Sequence, residues 1–228
     1  MVDVESEGGV TRIFLNRPEK VNALDSELLQ QLLAAFVDIF ELSDTRVVVL
    51  GGRGKAFCGG ADVAELSALS ASNAGAFVQR IHDVCATIRK LPVPVVARLH
   101  GAVIGAGLEL AAACDLRIAA EGTRFSMPEV RLGIPAVVEA ALLPRLMGSG
   151  RAAWLVLTGE AIDARRAYEW GLIEQLGGDD AVEALVRSLM KNDREALAMQ
   201  KQLLQLWEEA PLSSSIEESI RHFGDAHR

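Results

Sequence analysis

The chain has 228 residues, half of them hydrophobic but only 5% aromatic, so Ala, Leu and Val must supply most of its core. A mean hydropathy of +0.22 rules out general disorder, and a chain of this length can bury its apolar surface without staples. With 23 Lys and Arg against 31 Asp and Glu, the net charge is −8 and there is no basic stripe, which argues against nucleic acid as a partner.

No uncharged apolar run is long enough to span a bilayer. The opening Met1-Val2-Asp3-Val4-Glu5 lacks the basic start and apolar stretch of a secretory signal, so the expectation is a soluble, cytoplasmic protein with no membrane partner. Cys58, Cys85 and Cys114 are odd in number and widely spaced, which suggests neither a disulfide framework nor a paired ligand motif. His82, His100, His222 and His227 form no His-Glu-x-x-His pair, and no metal is expected.

Val2 to Leu15 reads as two strands broken by a hairpin at Gly8-Gly9. Asp25 caps a helix whose apolar face is Leu28, Leu29, Leu32, Leu33, Phe36, Val37 and Phe40. Arg46 to Leu50 is a buried strand, followed by a glycine-rich stretch from Gly51 to Asp62. Phe77, Val78, Ile81, Val84, Cys85 and Ile88 mark a second amphipathic helix. The next strand is Pro92 to Leu99, with its prolines kept to the start.

A second glycine cluster, Gly101, Gly105 and Gly107, opens a short helix from Leu108 to Cys114 that is apolar except at Glu109. Leu116 to Ala120 and Thr123 to Ser126 look like strands. Beyond Ala136 the chain is mostly helical, with strand character only at Leu172 to Leu176. The order of elements predicts an α/β core with a helical C-terminal portion. Trp154, Trp170 and Trp207 fall in helical patterns as core or interface residues, and Ser213-Ser214-Ser215 reads as a helix start.

The two glycine loops do not fit a nucleotide site. Gly54-Lys55 is followed by Ala56 instead of Ser or Thr, and Gly101, Gly105 and Gly107 have the wrong spacing for a dinucleotide fingerprint. An oxyanion hole fits better. Backbone N–H groups at such turns carry partial positive charge, and the small Ala61 and Ala106 leave room for a carbonyl to approach. Glu109 and Glu129 have ordinary explanations, as a helix-start acid and a turn acid. A carboxylate in so apolar a helix is nevertheless costly without a task. Paired, the two are a plausible acid and base, because burial and mutual repulsion raise at least one pKa.

At this point the chain resembles the crotonase, or enoyl-CoA hydratase/isomerase, superfamily. The resemblance rests on Leu15-Asn16-Arg17-Pro18-Glu19-Lys20-Val21-Asn22-Ala23-Leu24, Phe57 to Val63, Gly101 to Leu110, Cys114-Asp115 and Met127 to Gly133. Leu157-Thr158-Gly159-Glu160 through Ala167 and Gly171-Leu172 complete it. It implies a ββα spiral core over residues 1–178 and, over residues 179–228, helices that build trimers or hexamers as dimers of trimers. It places the oxyanion N–H donors at Ala61 and Ala106 and the catalytic glutamates at Glu109 and Glu129. Lys20, Val21 and Ala23, with Ala61, Asp62, Val63 and Ala64, would line a bound CoA thioester. CoA then belongs to the substrate, and no separate cofactor is implied. Water between the glutamates would attack C3 of a 2-enoyl thioester, with Glu129 moving the proton to C2 and Glu109 orienting the water.

Two features depart from the family pattern. Ala136-Val137-Val138-Glu139-Ala140-Ala141 stands where many hydratases have glycines, and Glu139 adds a third carboxylate, either a first-turn acid or a second proton-transfer group. Family members also usually continue into a further helix beyond Ile220-Arg221-His222-Phe223. An enoyl-CoA hydratase is the favoured reading. An enoyl-CoA isomerase, needing one glutamate, and a non-catalytic acyl-CoA-binding homologue are the alternatives.

Overall fold

The computed structural model describes residues 1–42 and 44–225; Ser43 and residues 226–228, His227 among them, lie outside it. The Gly8-Gly9 turn joins β1 (Val2–Glu7) to β2 (Val10–Leu15) as an antiparallel hairpin. Asp25 then caps α1 (Ser26–Glu41) by accepting from the Leu28 N–H at 2.8 Å. The helix buries Leu28, Leu29, Leu32, Phe36 and Ile39, whereas Val37 and Phe40, expected on that face, are half-exposed.

The buried strand β3 (Val47–Gly52) adds parallel to β2, and β4 (Val95–Leu99) parallel to β3. Between them lie α2 (Val63–Ser67) and α3 (Ala74–Lys90). The chain next forms β5 (Ala102–Ile104), α4 (Ala106–Ala113), β6 (Leu116–Ala119) and β7 (Arg124–Ser126). Helices α5 (Leu143–Met147), α6 (Ser149–Thr158) and α7 (Ala164–Trp170) are joined by the two-residue strands β8 (Ile162–Asp163) and, beyond α7, β9 (Gln175–Leu176). The chain ends in α8 (Asp179–Leu189), α9 (Arg194–Glu209) and α10 (Leu212–Asp225).

The result is a mixed α/β fold with two sheets, one ordered β1-β2-β3-β4-β6-β9 and the other β5-β7-β8. Strands β5 and β8 were not legible in the sequence. One face of the larger sheet meets α1, α3 and α4 in the main core. Its opposite face, Val10, Val47, Val49, Val96 and Ile118, is covered by Val182 and Val186 of α8.

Helix α9 is anchored by a buried lysine. Lys201 Nζ donates to the Ile88 and Val93 carbonyls, both at 3.0 Å, and pairs with Asp115 at 2.8 Å. Removing one partner of such a pair strands the other. Lys201→Met is therefore expected to lower stability by about 3 kcal/mol in urea unfolding. A loss below about 1 kcal/mol would show that the anchor is dispensable.

Candidate active site

The two glycine loops lie against each other. Cys58 N–H donates to Ala102 O at 3.0 Å and Ile104 N–H to Cys58 O at 3.1 Å, so the first loop continues the small sheet beyond β5. Closer in, Gly60 has φ of +98°, and a Cβ there would stand 2.9 Å from the Ile104 oxygen and 4.0 Å from the Ala106 nitrogen. Only glycine permits that approach.

This packing fixes which way two N–H groups point. Leu24 N–H donates to Gly60 O and Asp62 N–H to Leu24 O, both at 2.8 Å, so the residues flanking Ala61 use their polar groups toward Leu24. The N–H of Ala61 itself points away from Leu24. Ala106 is the first residue of α4, where a helix has no internal acceptor for its N–H. Neither N–H has a backbone acceptor among the described residues.

The segment Lys20 to Ala23 closes one side. Val21 and Asn22 both have positive φ, +57° and +55°, and Gly59 N–H donates to Val21 O at 2.8 Å. The buried Asn22 amide holds the turn, donating to Arg53 O at 2.9 Å, Ala56 O at 2.8 Å and Phe57 O at 3.1 Å. Lys20 is exposed, as are Val63 and Ala64 on the first turn of α2. The carboxylate of Asp62 caps that turn and pairs with Arg17 at 2.6 Å; the Arg17 hydrogen bond chiefly holds its pKa below the usual range. What Asp62 can offer a ligand is therefore its backbone.

The carboxyl groups converge beside the second loop. Glu109 is buried in the first turn of α4, and its Oε1 accepts from Ala140 N–H at 3.2 Å. Glu129 follows β7 in a short 3-10 turn (Glu129–Leu132), its Oε1 where a Cβ on Gly105 would collide with it and its Oε2 buried without a hydrogen-bond partner. Glu139, 6% exposed, is no surface helix-start acid: it sits in a second 3-10 turn (Val138–Leu142), with Oε1 2.8 Å from His82 Nδ1. The role of His82 was missed in the sequence, where only its position in an amphipathic helix could have flagged it.

Burial, and then the charge of Glu129, pushes the Glu109 pKa up to about 8; Glu139 adds to this and the Ala140 N–H opposes it. Burial also raises the pKa of Glu129. All three cysteines are buried and unpaired. Burial pushes Cys58 and Cys114 up to about 12, which leaves them unreactive thiols. Among the described residues no group of three or more His, Cys, Asp or Glu could hold a metal ion, and no helix is long and apolar enough to cross a membrane.

The Glu109 shift has a stability consequence. Folded, Glu109 keeps its proton to about pH 8; unfolded, it releases it near 4.5. The folded state thus binds the extra proton between these values, and stability falls as pH rises through that window. Glu109→Gln is expected to flatten the decline and to exceed wild type by about 2–4 kcal/mol at pH 9 in urea unfolding. An unchanged slope would mean that Glu109 ionises as an ordinary carboxyl.

The chain matches the enoyl-CoA hydratase/isomerase family model over residues 5–226 and belongs to that family. A short-chain-enoyl-CoA hydratase of Clostridium acetobutylicum is 30% identical over 230 residues, 98% of this chain and 88% of that protein. An enoyl-CoA isomerase/hydratase of Mycosarcoma maydis, fer4, is 37% identical over 178 residues, 74% of this chain and 65% of that one. The latter alignment spans under two thirds of the relative, as does one to Bacillus subtilis YngF, at 64%. A crystal structure of an enoyl-CoA hydratase from Mycobacterium smegmatis superposes with a TM-score of 0.95 at 33% identity, covering 99% of this chain and 90% of that one. The fold is that of the crotonase superfamily.

Proposed function

We propose that the protein hydrates 2-enoyl-CoA thioesters to 3-hydroxyacyl-CoA. The observation that carries this reading is the convergence of buried Glu109 with Glu129 beside the loop that starts α4. Burial raises the proton affinity of both carboxyl groups and the Glu129 charge raises that of Glu109 further; such a pair can divide the acid and base work that water addition needs.

In this mechanism the thioester oxygen lies between the N–H groups of Ala61 and Ala106, which stabilise the enolate that forms. Water held by Glu109 and Glu129 adds its oxygen to C3, and its proton passes through Glu129 to C2. Lys20, Val21, Ala23 and the backbone from Ala61 to Ala64 line the CoA moiety. An isomerase would need one carboxyl to move a proton within the acyl chain, and Glu109 would then be a buried cost without a task.

Leu212, Ile216, Ile220 and Phe223 on α10 are more than half exposed. Such a face on a terminal helix supports assembly into a homotrimer or hexamer. Three unpaired thiols fit a reducing compartment such as the cytoplasm.

A panel of enoyl-CoA thioesters of varied chain length tests the reading. Loss of the conjugated absorbance, with a product heavier by one water, is the expected result. A product of unchanged mass would replace it with the isomerase, and binding without turnover with the acyl-CoA-binding reading.

A further inference from the structure

Val138 has φ of +42°, a conformation that a β-branched residue adopts only where its surroundings impose it. The turn so formed serves two purposes. It carries the Glu139 carboxyl against α3, and it brings the next N–H, that of Ala140, which donates to Val137 O at 3.0 Å, within 3.2 Å of Glu109 Oε1 as well. On α3 the receiving groups are His82 and Cys85. His82 is half-exposed and lies 2.8 Å from Glu139 Oε1; the buried Cys85 thiol is pushed up by burial first and then by Glu139 and Glu109. The ionisable groups around Glu139 are therefore His82 and Cys85 from α3 and Glu109 from α4, while Glu109 also faces Glu129 from the turn after β7. Among the described residues only Glu129 Oε2 and Glu139 Oε2 are buried side-chain oxygens or nitrogens without a hydrogen-bond partner.

We propose that His82 and Glu139 form a positioning pair for Glu109, fixing it as the group that orients the water and leaving Glu129 to move the proton to carbon. His82 Nδ1, 2.8 Å from Glu139 Oε1, holds that carboxyl on the turn that reaches Glu109. A carboxylate behind Glu109 then opposes a second charge there. Glu139 so adds to burial and to the Glu129 charge, the larger causes, in making Glu109 keep its proton. Glu139 touches neither the reacting atoms nor the thioester in this arrangement. No proton is gained or lost overall, since water supplies both the hydroxyl and the hydrogen that are added. The proposal rests on the hydratase reading for its catalytic meaning, but its physical content can be measured without turnover.

Infrared difference titration of the free protein follows the carbonyl stretch of a buried protonated carboxyl, and Glu109→Gln identifies the Glu109 band by removing it. In Glu139→Gln that band is expected to titrate about one pH unit lower than in wild type. The basic limb of the kcat–pH profile should move with it, so that kcat falls about 2-fold at pH 7 and about 10-fold at pH 9. His82→Ala should shift both readouts in the same direction. His82→Asn, which keeps an N–H donor near the place of Nδ1, should restore them. A merely structural role would lower stability without moving the titration. Unchanged titrations in Glu139→Gln and His82→Ala would overturn the proposal. If Glu139→Gln does not fold, the His82 pair of variants at a half-exposed position decides the matter. A wild type that hydrates nothing would refute the hydratase reading, while the infrared titration would still decide whether the pair controls Glu109.

Discussion

Glu129→Gln is expected to lower kcat for hydration by about 10³–10⁴ while KM changes less than about threefold. Gln is isosteric with Glu, and Glu129 Oε2 has no hydrogen bond to lose, so the variant should fold as the wild type does. It cannot take a proton from water and pass it to carbon. It also removes the charge that, after burial, does most to raise the Glu109 pKa, so the Glu109 titration should fall below about 8 in the same protein. The two readouts separate chemistry from electrostatics. A variant that kept its kcat and lost only substrate affinity would make Glu129 a binding group, and the proton-transfer role would have to be given up.

Much of this site could be read from residue types and spacing, for identifiable reasons. The Gly8-Gly9 hairpin and the Asp25 cap are local devices, encoded within a few residues of where they act. Glu109 stood out because a carboxylate in an apolar helix is conspicuous in any context. The strands β5 and β8 were invisible for the opposite reason. Three and two residues long, they exist only because β7 lies between them and the Cys58 loop flanks β5, pairings set by distant parts of the chain. Val37 and Phe40 keep the helical period of α1 yet half-face solvent, since periodicity gives a stripe without its edges. The pairing of His82 with Glu139 spans 57 residues and depends on the strained Val138 turn, which no local pattern announces. Tertiary contact, more than composition, decides whether an acid of this kind is a surface charge or part of a site.

Gly105→Ala is expected to lower kcat by about 10²-fold or more while the protein still folds. Gly105 precedes α4 with φ of +52° and ψ of −123°, outside the left-handed helical region that other residues occasionally visit. Alanine there would cost about 1–3 kcal/mol in backbone strain, a tolerable loss for a domain of this size. The larger effect is steric. The added methyl would collide with Glu129 Oε1, so the carboxyl must rotate away from the loop that carries Ala106. A displacement of about 1 Å is enough to lose the approach geometry that water addition requires. Gly75→Ala is the matched control, because a Cβ there meets nothing within 4 Å and alanine favours the first turn of α3. Thermal unfolding and single-turnover kinetics on both variants separate the two costs. Equal activity in Gly105→Ala and Gly75→Ala would show that the place of the Glu129 carboxyl is not set by the absence of a side chain at Gly105.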